Sequence, residues 1–210
     1  SSPHRKLLAA YKKVGRKYVR CTETEGELFA VIEEIPEYVD LLSPFVTDAF
    51  LAASHEVYRK HFGDEFGTTI KYLFTDEPQL AAPYAYTENL EKIFLEEYGY
   101  DILNELWRFG VETREFSKFH FDYRSLISKL FHRNYTQKVS DWCEKNKLYM
   151  TGHFACEENT VTLNLNGGPM NGYEYMQVPG IDAIGRRCPP DTLFEQVVLS
   201  LIHISEPTRH

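Results

Sequence analysis

The chain has 210 residues, a formal net charge of −8, 43% hydrophobic and 26% charged residues, which suits a globular protein with one sizeable core. The acidic balance argues against nucleic acid or an anionic membrane as main partner, because both need a basic face. There is no apolar run of about 18 residues that could span a bilayer.

The four cysteines, Cys21, Cys143, Cys156 and Cys188, form no CxxC pair. They read as buried free thiols rather than a zinc or redox site.

Taken in chain order, residues 4–14 read as a short helix with Leu7, Leu8 and Tyr11 on one face. Lys17–Thr22 and Glu27–Ile35 are β-rich runs around Gly26 and predict a hairpin. Tyr38–Leu42 reads as a short strand. Ser43-Pro44 then starts a helix, and Phe45, Ala49, Ala53 and Val57 give it an apolar stripe as far as Phe62-Gly63.

Ile70–Asp76 is a short apolar run closed by Glu77-Pro78, the pattern of a buried parallel strand stopped by a breaker. After a loop, Thr87 caps a helix over 88–98 that Gly99 ends, and a shorter helix covers 102–109. A long tract over 113–147 is helical but long enough to kink or split. Leu148–Glu157 repeats the buried-strand pattern. Residues 157–172 read as a polar, Gly-rich loop, a short strand fits 181–184, and Pro189-Pro190-Asp191 opens a last helix. Strands alternating with helical tracts predict a parallel α/β sheet.

Two adjacent acids at the end of a buried strand are costly unless that end opens into a polar cleft. Asp76 and Glu77 end the first key strand; His153, Glu157 and Glu158 lie at the end of the second. In parallel α/β architectures these carboxyl ends carry the chemistry. Glu77 and Glu157 form a candidate catalytic pair for glycoside hydrolysis, which needs one carboxyl to protonate the leaving oxygen and another to attack or activate water. Glu77 is assigned as acid and Glu157 as nucleophile or base, with the swapped assignment left open.

Asp76, His153, Asp40 and Tyr84 complete the candidate substrate-binding set. Each has a plainer reading: Asp-Glu-Pro as a helix cap, His153 as a hydrogen-bonded core histidine, Asp40 and Asp182 as caps. Tyr84, Tyr86 and Trp107 can stack on sugar rings, with core packing the default for Trp107. The trio Asp122-Tyr123-Arg124 reads as a structural or solvent-facing ion pair. Asp76, His153 and Glu157 are also ligand types for a hydrolytic metal, though no HExxH pattern accompanies them. The Gly-rich stretch 164–172 lacks the Lys-Ser/Thr of a phosphate loop.

Several motifs form one ordered set: Tyr38-Val39-Asp40-Leu41-Leu42, Tyr58-Arg59-Lys60-His61-Phe62-Gly63, Phe74-Thr75-Asp76-Glu77-Pro78, Tyr98-Gly99-Tyr100-Asp101, Asp122-Tyr123, Trp142-Cys143, Thr151-Gly152-His153 with Glu157, and Pro179-Gly180-Ile181-Asp182. Over residues 36–198 this set resembles bacterial glycoside hydrolases of the α-L-rhamnosidase-like group. The resemblance implies a partial (β/α)8 TIM barrel, truncated at both ends, with Glu77 and Glu157 as strand-end acid and base. It also implies an oligosaccharide or glycoside substrate, and calcium as the cofactor associated with some relatives, with no ligand position matched to it. The stretch 159–172 departs from the pattern.

The domain organisation expected is an N-terminal helix and hairpin over 1–35, the barrel over 36–198, and a tail over 199–210. That tail resembles the translation of a transposase sequencing adapter. About 250 residues make such a barrel, so the chain alone is expected to fold poorly and to hydrolyse nothing. The alternatives are a metal-dependent hydrolase on the same barrel and a non-catalytic carbohydrate-binding relative.

Overall fold

The computed structural model describes residues 4–112, 117–156 and 162–182. In chain order the elements begin with strands β1 (Arg5–Val14), β2 (Lys17–Cys21) and β3 (Leu28–Glu33), helices α1 (Pro44–Phe50) and α2 (Glu56–Phe62), and strand β4 (Tyr72–Asp76). Helices α3 (Leu90–Tyr98), α4 (Arg108–Val111), α5 (Lys118–Phe131) and α6 (Lys138–Lys145) follow, then β5 (Tyr149–His153), α7 (Thr162–Asn166), α8 (Pro169–Tyr173) and β6 (Val178–Pro179). The protein is mixed α/β and divides into two compact units, residues 1–39 with 86–126 and residues 40–85 with 127–210. Among the described residues no helix is long and apolar enough to cross a membrane.

The first unit is built on an antiparallel sheet of order β2-β1-β3. Residues 5–14, predicted helical, are instead its central strand. The register against β3 slips between Leu7 and Ala9, and this bulge breaks the alternation of side chains. Beyond the slip, Ala9, Ala10 and Tyr11 keep regular register with β3 and are all buried, a pattern that hides the period of a strand. The expected hairpin between residues 17–22 and 27–35 does not form either. Both runs are strands, but each pairs with β1. The hairpin that does form joins β1 to β2 through Gly15-Arg16, with Gly15 at φ +63°, a conformation that glycine adopts without steric cost.

The Tyr11 hydroxyl donates to the Leu103 carbonyl at 2.7 Å, and Tyr11, Ala9 and Trp107 pack together. Trp107 is thus a core residue, with its Nε1–H donating to the Asn104 carbonyl. The helix expected over 102–109 is a 3₁₀ turn (Ile102–Asn104) followed by α4. Helix α3 ends as predicted at Gly99, but its N-cap position is Asn89 rather than Thr87. Asp122 is buried and accepts from the Tyr100 hydroxyl at 2.8 Å and from the Lys118 ammonium, a structural ion pair whose cation lies outside the Asp122-Tyr123-Arg124 trio.

The second unit carries a parallel sheet of order β4-β5-β6. Register aligns Tyr72, Phe74 and Asp76 with Tyr149, Thr151 and His153, so these six side chains share one face. The opposite face, with Thr75, Met150 and Gly152, is buried, and the Thr75 hydroxyl meets the Tyr135 hydroxyl at 2.7 Å. Helical cover lies on that side. The first face stays open: Phe74 is 61% exposed and Tyr72 54%. Burial of the 70–76 run on both faces, as its apolar composition predicts, does not occur among the described residues.

The long helical tract runs on from Lys118 to Lys145 with a π segment inside it. That segment, His132–Gln137, joins α5 to α6 and turns His132, Asn134, Tyr135 and Thr136 inward. Residues 38–42 are not a strand; Asp40 folds them into a turn. The helix from Pro44 runs to Phe62 with a π segment at Leu51–His55, but the buried stripe is Thr47, Leu51 and His55. The predicted stripe of Phe45, Ala49, Ala53 and Val57 is not buried. The inward set packs where Trp142 receives the ring edge of His55, 5.1 Å between centroids.

Part of the predicted loop 157–172 is helical, as α7 and α8. Asn166 is fully buried there and makes the bonds a short helix cannot: its Nδ2 donates to the Ala155 carbonyl, while its Oδ1 accepts from Gly168 N–H. The third strand is Val178–Pro179 rather than 181–184, of which 183–184 lie outside the described residues. Of the cysteines, Cys143 is buried, as expected, and burial pushes its thiol up to about 12. Cys21 and Cys156 are only half-buried, and Cys188 lies outside the described residues.

Candidate functional site at the strand ends

The site is set by how closely β5 approaches β4. Gly152 sits at φ +133°, and a Cβ built there would lie 2.0 Å from the Thr75 carbonyl oxygen. Only glycine fits that crossing. The close pairing puts His153 beside Asp76, with Nε2 3.2 Å from Asp76 Oδ1. The other ring nitrogen of His153, Nδ1, is buried and has no hydrogen-bond partner. The ring edge packs on Phe74 at 5.7 Å between centroids.

Glu77 follows directly at φ +46°. A non-glycine residue in this region stores about 1–3 kcal/mol, and such positions cluster at functional sites. The segment beyond it is anchored: Pro78 and Leu80 are buried, and Leu80 N–H donates to the Leu165 carbonyl at 2.6 Å.

A third strand end joins them. Gln177 accepts from Met150 N–H at 2.8 Å and donates to Ser140 Oγ, which in turn donates to the Tyr175 carbonyl. Gly180 N–H donates to the Gly152 carbonyl at 2.7 Å. These bonds tie β6 and the residues after it to β5. Two positions on, Asp182 comes into the group: one ligand atom each from Glu77, His153 and Asp182 lie within 4.8 Å of one another.

Of the residues predicted for the site, Asp76, Glu77 and His153 are therefore brought together. Glu157 and Glu158 lie outside the described residues. Asp40 has a structural task, accepting from Leu42 N–H at 3.0 Å through Oδ1 and from Ser43 N–H through its carbonyl. Both bonds are those of a turn cap. Tyr84 is exposed on the loop after β4. Asp182, read from sequence as a cap, belongs to the grouped side chains. Its Pro-Gly-Ile-Asp context marked the position, but the sequence held no sign of the Gly152–Gly180 bond that brings it in.

Comparison with family models, with curated proteins and with solved structures finds no match for this chain.

Proposed function

We propose that the second unit belongs to the catalytic (β/α)8 barrel of a glycoside hydrolase, acting on an α-L-rhamnoside or a related glycan. The observation that carries this reading is the gathering of Asp76, Glu77 and His153 at the carboxyl ends of adjacent parallel strands. In barrels, chemistry sits at that end of the strands. The open sheet face supports the same reading. Its aromatic side chains point away from the helices, as the inward layers of a barrel do, and the polar groups lie at one end of that face.

In this proposal Glu77 and Glu157 flank the scissile bond. One protonates the leaving oxygen, while the other attacks the anomeric carbon or takes a proton from the attacking water. Asp76 holds His153 in place, and His153 faces the sugar hydroxyls.

The test is Glu77→Gln and Glu157→Gln in the complete protein, assayed on an aryl α-L-rhamnoside. Removing an acid or base of this kind costs on the order of 100-fold or more in kcat, with KM little changed because the amide keeps the shape. Turnover equal to the parent in both variants would end the reading and favour a carbohydrate-binding protein on the same scaffold.

A further inference from the structure

We infer that Glu77, His153 and Asp182 form a binding site for a first-row divalent cation of the Zn²⁺ or Mn²⁺ class. This goes beyond the glycosidase reading and stands without it.

The three residues come from three consecutive ends of the parallel sheet, and their ligand atoms lie within 4.8 Å of one another. Donors to a common Zn²⁺ each sit about 2.0–2.2 Å from the ion, so small side-chain rotations bring the three onto one centre. Asp76 supplies the remaining part of a metal histidine. A carboxylate that accepts the proton of one ring nitrogen fixes the tautomer and raises the basicity of the other nitrogen. Asp76 Oδ1 lies 3.2 Å from Nε2, within reach of that contact, and Nδ1 is buried with no hydrogen-bond partner. A buried lone pair without a donor is a cost that a cation removes.

The donor set also selects the metal. Two ionised carboxylates and a neutral imidazole carry two negative charges, which match a dication. One nitrogen among the donors disfavours Ca²⁺ and Mg²⁺, which take oxygen ligands, and suits Zn²⁺ or Mn²⁺. Three protein ligands leave coordination positions for water or a substrate oxygen, the arrangement of catalytic rather than structural sites. Backbone geometry holds the donors without the ion: Glu77 at φ +46° and the Gly180 N–H to Gly152 carbonyl bond set two of them in place.

A metal-bound Glu77 is held ionised and cannot donate a proton. Where both proposals hold, the proton donor is Glu157 and Glu77 serves through its second oxygen as base.

The experiment is calorimetric titration of the full chain with Zn²⁺, repeated with Mn²⁺ and Ca²⁺. The variants are His153→Gln, Asp182→Asn and Asp76→Asn, each matched to the parent by far-UV circular dichroism. One Zn²⁺ per chain is expected, with affinity lowered at least about tenfold by His153→Gln and by Asp182→Asn. A smaller loss is expected for Asp76→Asn, which acts through the ring. Asp182→Asn carries the test if His153→Gln does not fold. Absence of Zn²⁺ and Mn²⁺ binding, binding indifferent to the folded variants, or Ca²⁺ bound as tightly as Zn²⁺ would each overturn the site. Loss of glycoside turnover is read separately, so a bound metal without turnover sinks only the glycosidase reading.

Discussion

Gly152 shows how one residue sets the site. At its φ of +133° a Cβ would stand 2.0 Å from the Thr75 carbonyl oxygen, which leaves no room for any side chain. Gly152→Ala is expected to lower unfolding free energy by about 3 kcal/mol or more, at the upper end of single substitutions because strain and clash add. Urea denaturation measures it; a loss below about 1 kcal/mol would mean that β5 moves away at little cost. The Thr-Gly-His motif is visible in sequence, and so is the acid pair at the end of the preceding run. What sequence cannot show is that the glycine exists for Thr75, or that Asp182 comes close to a glutamate 105 positions earlier.

Elements were legible where their patterns were local. Helix α3 with its terminal glycine, the long helical tract and the two key strands follow from caps, breakers and apolar runs. Residues 5–14 were not, because Lys, Leu and Ala favour helix and the bulge at Leu8 removes the alternation. Pairing on both sides with β2 and β3 overrides that preference.

The π segment of the long tract carries a pH prediction. His132 is buried in it, with Nε2 3.0 Å from the Gly168 carbonyl and Nδ1 3.2 Å from Thr136 Oγ1. Burial pushes its imidazole down to about 4, and burial lowers His55 as well. The unfolded chain takes up the His132 proton near pH 6.5, while the folded chain resists until about 4. Stability is therefore full above pH 6.5 and falls as the pH drops through that window, at up to about 1.4 kcal/mol per pH unit for one histidine. Urea midpoints between pH 7 and pH 4.5 read the slope. His132→Gln should flatten it; an unchanged slope would show that His132 is not its source.

At the scale of the whole molecule, the chain has two tryptophans, and one stands in each compact unit. Trp107 packs on Tyr18, with Arg108 over its ring at 4.6 Å. Trp142 donates to Glu56 Oε1 at 2.8 Å and packs on His55 and Phe66. Each is thus a reporter for its own core. Chains with more than one compact unit depart from two-state unfolding, so Trp107→Phe and Trp142→Phe should show fluorescence transitions at different urea midpoints. Coincident midpoints in both variants would mean that the units unfold as one.

By itself the sequence determined the mixed α/β class, the two short parallel strands with polar groups at their ends, and the long helical tract. Each of these is written in neighbouring residues, through apolar runs, caps and breakers. Tertiary structure alone decided the central position of β1, which helix stripe turns inward, and the joining of Asp182 to Glu77 and His153. Those outcomes depend on which surfaces meet across long stretches of chain, and local periodicity contains no record of the partner.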